Sequence, residues 1–364
     1  MPKSYKKSKK KKKPRSKVLL FAKVFLITTF SSLTVMVAAA VVYYNTVSPP
    51  EIPVRQPIHV VDSSGTNSSS DNNENESAGP GLTAPERFTN DDRRDLFFTF
   101  LIIGLNEGTN ANTIMVAAYD GVNHEANLIS IPRDSLINVN RRNRKLSGAF
   151  MNGALGGRGV EGGVAQMQRE VMSVVGFVPD FYIVVNYNAF TQIIDAVGGI
   201  DVYVPFHMRY DDPCQNLHID IRPGQQTMNG ATALHFARFR TNNPGFRGIT
   251  DYDRIKNQQT VISAVIASVL RPQNIRRIPE FISIATDNVY TNLTVENMIW
   301  FASQHSEMDG TDSIHFHTAP TTGTSGSPMW YELLDADGIV DLVNKTVNPF
   351  AHSIRLSDLD IIRN

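Results

Sequence analysis

The sequence predicts an α/β domain on a central sheet covered on both faces, preceded by one membrane-spanning helix. Three observations carry that reading. Short apolar runs of strand length alternate with segments of helical spacing between residues 96 and 347. The 21 residues Val24–Tyr44 (VFLITTFSSLTVMVAAAVVYY) contain no charge. Between these two regions lies a polar stretch with too little apolar surface to fold.

The elements follow in chain order. Residues 1–23 hold eleven Lys and Arg and no acid. The formal net charge of zero is therefore an average. Taking those eleven from the 35 basic residues leaves 24 against 35 acidic ones, a net of −11 from residue 24 onward. An acidic remainder excludes a uniformly basic nucleic-acid-binding face, and no nucleic-acid partner is expected. The single Cys, Cys214, excludes an internal disulfide and a Cys-based zinc site. The 41% hydrophobic content suffices for a large core.

At 1.5 Å per residue the span 24–44 is roughly 31 Å long, against about 30 Å of bilayer hydrocarbon. Tyr43 and Tyr44 sit at its far end, where interfacial aromatics belong. The preceding cations predict a cytoplasmic N-terminus, a single-pass plasma-membrane anchor and an extracellular C-terminal domain. They also suit contact with anionic lipid. A cleaved signal peptide is the rival, with Ala38-Ala39-Ala40 as its small residues. Residues 45–90 read as a flexible linker, on the order of 40 Å from end to end as a coil.

The folded domain is expected over residues 91–350, with 351–364 as a tail. Leu96–Leu105, Thr113–Tyr119, Ala126–Ile131, Phe181–Val185 and Ile200–Val204 read as strands, and Ile314–Thr318 as a late one. Glu161–Val175 and Tyr187–Val197 have helical spacing. A longer amphipathic helix starts near Asp251, and Thr294 opens another with Glu296 in its first turn. Tyr331–Val347 reads as mostly helical.

Four motifs carry chemistry. Ser130-Ile131-Pro132-Arg133-Asp134 places a guanidinium at a strand's carboxyl end, the ligand side of an open α/β sheet. A structural ion pair between Arg133 and Asp134 is the plainer reading. Arg238-Phe239-Arg240, in a strand or extended loop, would set two forked donors on one face, a geometry suited to phosphate. Two solvated arginines are the alternative. Asp251-Tyr252-Asp253-Arg254, followed by Gln258-Gln259, opens a helix; Asp251 and Arg254 can share a ligand, or Asp251 can cap the helix. Gly104–Thr113 is a Gly/Asn-rich loop between strands, without the Gly-Lys-Ser/Thr of a Walker loop. The nine His show no metal-ligand spacing. Arg141-Arg142-Asn143-Arg144-Lys145 reads as a solvated loop or a contact for an anionic polymer.

In this order the motifs resemble the LytR-CpsA-Psr family of bacterial envelope proteins. Lys145-Leu146-Ser147, Pro179-Asp180-Phe181-Tyr182, Val197–Val202, Tyr290–Thr294 and the stretch from Val343-Asn344 to Pro349 extend the likeness over about residues 95–350. The resemblance implies a three-layer α-β-α sandwich with a central mixed sheet and a pocket for a lipid tail. It implies a phosphotransferase that ligates an anionic glycopolymer, carried on polyprenyl pyrophosphate, to peptidoglycan at the cytoplasmic membrane. Arg133, Arg238, Arg240 and Arg254 would clamp the pyrophosphate, with Gln258 beside them and Asp251 as a companion carboxylate, and Mg²⁺ would assist.

The chain departs from that pattern where the family's loop carries two Asp and an Arg. Here stand Asn106, no Arg, and Asn112 before Thr113. Ser147 replaces an Asn, and Asn243 replaces a frequent acid. Mg²⁺ takes one or two carboxylates plus phosphate oxygens, so a weakened metal site at Asn106, Asn112 and Asp251 is expected. The alternative function is a non-catalytic polyprenyl-phosphate-binding regulator or scaffold; a plain adhesion domain is a third reading.

Overall fold

A computed structural model describes residues 48–53, 92–106, 109–215, 217–243, 248–269, 271, 274, 277–304, 308, 310–326 and 329–362. The basic tail, the span 24–44 and most of the linker lie outside the described residues. Among the described residues no helix is long and apolar enough to cross a membrane. The chain divides after Ser48, and the sheets and helices of the described residues belong to the unit from Pro49 onward.

A six-stranded mixed sheet forms the centre of that unit. Strand β1 (Phe97–Leu105) pairs antiparallel with β2 (Ala111–Asp120), which pairs antiparallel with β3 (Glu125–Ser130). On its other side β1 pairs parallel with β4 (Phe181–Val185). The edges are Tyr290–Thr291, antiparallel to β4, and Ile314–Thr318, parallel to β3. The runs read as strands in the sequence thus form this sheet, with one exception. Ile200–Val204 pairs instead with Gly224–Met228, in a smaller unit.

Alternation along β1 feeds both faces of the sheet. Phe97, Leu101, Ile103 and Leu105 join a core with Phe150 of α1 (Ala149–Ala154), Val164, Met167 and Val171 of α2 (Gly159–Val175), and Ile339 and Val343 of the last helix. The opposite face meets the helix Val295–Ser303. Phe98 lies edge-on to its Trp300 at 5.2 Å, and Phe100 edge-on to its Phe301 at 5.1 Å. Such pairs add about 0.5–1.5 kcal/mol beyond area burial. Thr294 caps this helix in a capping box with Asn297.

Residues 351–362, expected as a tail, add Ile354 and Leu359 to the first core. Asp180 is fixed from several sides. It takes Arg93 through both carboxylate oxygens, and the Thr99 N–H and hydroxyl through Oδ2 at 2.9 and 2.7 Å. Asn292 accepts from the Tyr182 N–H at 2.9 Å. Two motifs of the sequence therefore serve the scaffold rather than the chemistry.

A second core holds α3 (Tyr187–Ala196), α4 (Gly230–Arg238), α5 (Asp251–Val269) and two hairpins. One hairpin pairs Ile200–Val204 with Gly224–Met228; the other pairs Met208–Asp212 with Leu217–Ile221. Gly198 and Gly199, at φ +82° and +86°, turn the chain from α3 into the first hairpin. A Cβ on Gly199 would lie 2.9 Å from the Met228 carbonyl oxygen, so only glycine fits this turn.

Two expectations need correction. Tyr331–Leu334 is a strand, antiparallel to Thr321–Ser325, and the helix spans only Ala336–Thr346. Asp335 accepts from the Gly338 N–H, which fixes the helix start at 336 and leaves the preceding residues to sheet pairing. Arg238 is not extended either. It is the last residue of α4, a helix capped by Asn229 on the Thr232 N–H, and only Phe239 beyond it turns to extended backbone.

Candidate functional site: an arginine-lined cavity

A cavity of about 490 Å³ opens between the sheet and the second core. Asn106, Asn112, Arg133, Arg238, Arg240, Arg254 and Gln258 all line it. They arrive from separate stretches of the chain: the loop and strand at 106–112, the end of β3, the end of α4 and the start of α5. Arg133 follows Pro132 at the end of β3, and Arg254 stands in the first turn of α5. Arg238 ends α4, and Arg240 lies two residues on, where its carbonyl accepts the Ile249 N–H at 2.8 Å. The rest of the lining is mostly apolar, including Phe190, Leu217, Ile219, Leu234, Val261 and Ile262. The cavity joins one greasy wall to four guanidiniums.

Three of the guanidiniums are held in place by other side chains. Arg133 donates through Nη1 to the Asn112 carbonyl oxygen at 2.7 Å, and Asn112 Nδ2 donates to the Tyr187 hydroxyl at 3.0 Å. Arg238 lies over the Tyr187 ring, 4.6 Å from its centroid. Tyr187 therefore ties the Asn loop to the Arg pair. Nothing in the sequence pattern marked it. Arg254 pairs with Asp251 at 2.7 Å, and Asp251 also stands 3.8 Å from Arg133 Nε. Asp251 does not cap its helix. The N-terminal turn is closed by Asp253, which takes the Thr250 N–H and hydroxyl at 3.0 and 2.8 Å.

Arg133 Nε is buried and makes no hydrogen bond. Burial pushes the Arg133 pKa down, and the nearby charges of Arg254 and then Arg240 push it the same way, only partly offset by Asp134 and Asp251. Converging cations, with Arg254 buried and a buried, unsatisfied N–H on Arg133, make a site whose electrostatics improve when an anion enters.

The Asn positions have other work. Asn106 Oδ1 accepts the Asn110 N–H at 2.9 Å, closing the turn of its own loop. The Asn112 oxygen is taken by Arg133. With the Asp251 carboxylate paired to Arg254, these three positions do not fit a hard divalent cation. Among the described residues no three His, Cys, Asp or Glu side chains gather as a metal-ligand set. Asn243 brackets Asp211, accepting its N–H at 2.8 Å and donating to its carbonyl at 2.6 Å. Gln259 is also a brace, donating to Ser130 Oγ at 2.9 Å and the His317 carbonyl at 3.1 Å.

Sequence reading missed Glu332. Its backbone pairs with residues 134–136, and its carboxyl is raised above the usual range by burial and by the neighbouring charges of Asp251 and Asp134. It came to the site through the strand that the sequence had suggested was helical.

Relatives share this architecture. The chain is 26% identical over 255 residues to the polyisoprenyl-teichoic acid–peptidoglycan teichoic acid transferase TagU of Bacillus subtilis, covering 68% of this chain and 76% of that protein. It is 23% identical over 270 residues to biofilm regulatory protein A of Streptococcus mutans, covering 68% of this chain and 62% of that one. Its fold matches the crystal structure of B. subtilis TagV with a TM-score of 0.57 at 23% identity, over 73% of this chain and 98% of that one. The LytR_cpsA_psr family model matches residues 61–347. The chain therefore belongs to the LytR_cpsA_psr family.

Proposed function

We propose that this protein is a phosphotransferase that ligates an anionic glycopolymer, carried on polyprenyl pyrophosphate, to peptidoglycan. The single observation that carries the reading is the cavity's two-part lining: four arginines beside a wall of Phe190, Leu217, Ile219, Leu234, Val261 and Ile262. A lipid pyrophosphate has the same two parts. The names of relatives such as TagU support the choice of polymer and acceptor.

In this reading the prenyl chain takes the apolar wall, and Arg133, Arg238, Arg240 and Arg254 hold the pyrophosphate, with Gln258 beside them. An acceptor hydroxyl oxygen forms a bond to the polymer-side phosphorus and gives up its proton to solvent water. The phosphoanhydride bond breaks, and the bridging oxygen leaves with the lipid phosphate. Charge grows on that leaving group, and preorganised guanidiniums stabilise it there. Asp251 holds Arg133 and Arg254 in place until the anion arrives.

Magnesium is a weak partner of these residues in our reading, because Asn106 and Asn112 bring no charge and their oxygens are already accepting. Residues 24–44 would anchor the domain outside the plasma membrane, with residues 1–23 in the cytoplasm and 45–90 as tether. A shared membrane then raises the effective concentration of a lipid-held substrate.

The test is a lipid-linked glycan transfer assay on the full chain in detergent, with and without Mg²⁺. Transfer supports the reading. Tight lipid-pyrophosphate binding without transfer, where a carboxylate-bearing relative turns over, instead supports a non-catalytic regulator or scaffold. The two neutral Asn and a relative named as regulatory favour that second reading.

A further inference from the structure

The stretch Arg141–Lys145 takes no part in lining the cavity, yet the fold connects it directly to the cavity. Residues 133 and 134 form a turn, closed by the Ser135 N–H on the Pro132 carbonyl at 3.0 Å, and residues 135–137 carry the chain away from the site. The returning chain pairs along one side: Ile137 N–H donates to the Arg144 carbonyl at 3.0 Å, Leu146 N–H to Ser135 at 3.0 Å, and Ser147 N–H to Arg133 at 2.8 Å. The strand Tyr331–Leu334 braces the other side, with the Glu332 carbonyl accepting the Leu136 N–H at 2.9 Å. Arg133 stands at the base of this short hairpin. Its far end lies beyond the Ile137–Arg144 pairing.

Cations follow the hairpin outward. Lys145 Nζ lies 3.0 Å from Asp134, whose carboxylate is 3.9 Å from Arg133 Nε. Arg144 spends only its Nε, on the Ile137 carbonyl at 3.2 Å. Arg142 is exposed, and neither it nor Arg144 makes an ion pair among the described residues. Arg141 is the exception and shows how the tip is fixed. It pairs with the buried Glu170 and donates to the carbonyls of Asn143 and Lys145. A rigid tip that keeps two arginines unpaired is a local positive strip on a chain that is net negative beyond residue 23.

We propose that this hairpin is an exosite for a polyanionic chain of repeating phosphodiesters, the part of the substrate beyond the pyrophosphate. The inference rests on the transferase reading. With the prenyl chain on the apolar wall and the pyrophosphate on the arginines, the polymer leaves by the charged end. There the hairpin begins, and successive phosphates meet Lys145, Arg144 and Arg142. Arg141 is a positioning residue.

The test measures binding of two probes to the full chain at low salt: farnesyl pyrophosphate and a short poly(glycerol phosphate) oligomer. In the double variant Arg142→Ala, Arg144→Ala the oligomer affinity is expected to fall about fivefold to tenfold, the scale of two exposed charge pairs, and to lose part of its salt dependence. Farnesyl pyrophosphate affinity stays within about twofold, since neither residue lines the cavity. Arg142→Glu alone, at an exposed position, repeats the test without touching the Arg144 contact. Unchanged oligomer affinity in both variants overturns the exosite and leaves the transferase reading intact. Wild-type protein that binds neither probe overturns both.

Discussion

The two ends of the cavity are built in different ways. The apolar wall comes from helices and a hairpin that already share the second core, so Phe190 packs on that core from α3 as well as lining the cavity. The four arginines of the charged end come from three separate chain segments, and three of the guanidiniums are tied down individually. Asn112 holds Arg133, Asp251 holds Arg254, and the Tyr187 ring underlies Arg238. One end needs only volume and greasiness. The other needs angles and distances, because a guanidinium displaced by an ångström loses its bond to a phosphate oxygen.

The sharpest break in that comparison should come from the arginines. Arg238→Ala or Arg240→Ala is expected to weaken prenyl-pyrophosphate binding by about 1.5–3 kcal/mol, the scale of a charged hydrogen bond. Arg240 is more exposed and belongs at the lower end. Titration calorimetry with farnesyl pyrophosphate reads this directly. The loss should be the same whatever the length of the prenyl chain. Equal affinity of both variants and wild type would remove the clamp.

The apolar wall should respond differently. Leu234→Ala is expected to cost about 1–2 kcal/mol, at roughly 0.8 kcal/mol per buried methylene, and only with ligands long enough to reach it. Comparing dimethylallyl with farnesyl pyrophosphate separates the two ends: an equal loss with both would show that Leu234 acts on the clamp instead.

A smaller effect tests the loop between them. Asn106→Asp with Asn112→Asp supplies two carboxylates where two amides now stand, and should raise Mg²⁺ affinity in a direct titration. Part of the gain is blunted because residue 112 already faces Arg133. No gain would mean that this loop does not correspond to a metal site at all.

The smallest effect concerns Glu332. Its folded pKa is raised, so the fold favours its protonated form. Its contribution to stability is complete below the unfolded glutamate pKa and is lost as pH rises through the folded value. Glu332→Gln should therefore raise the urea midpoint at pH 7 and change it little at pH 4. The opposite pattern would place Glu332 against cations rather than against Asp251 and Asp134.

Much of this was legible from the chain. The central strands were readable because they are short apolar runs with a Gly, Pro or Asn close behind them, as at Asn106 and Pro132. The four arginines were legible because their motifs come in a fixed order, and the structure puts all four on one cavity. The hairpin Met208–Ile221 was not, since its alternation of Met208, Tyr210 and Asp212 with charged residues is too mixed to mark a strand. Tyr331–Leu334 was misread because four apolar-rich residues before a real helix look like its first turn until Asp335 is seen to cap the next one.

The sequence by itself determined the alternation of strand and helix, the acidic domain behind a basic head, and the identities of the cationic residues. These depend on local periodicity and composition, which a single chain displays. Tertiary structure alone decided which carboxylate meets which guanidinium, that Tyr187 joins the loop to the arginine pair, and that Asn112 spends its oxygen on Arg133. Apart from the i,i+3 pair of Arg254 with Asp251, those contacts join residues far apart in the chain, as in Arg133–Asn112, Asn112–Tyr187 and Arg133–Asp251. Pairings across such distances are set by packing of the whole sheet and its helices, and no local pattern encodes them.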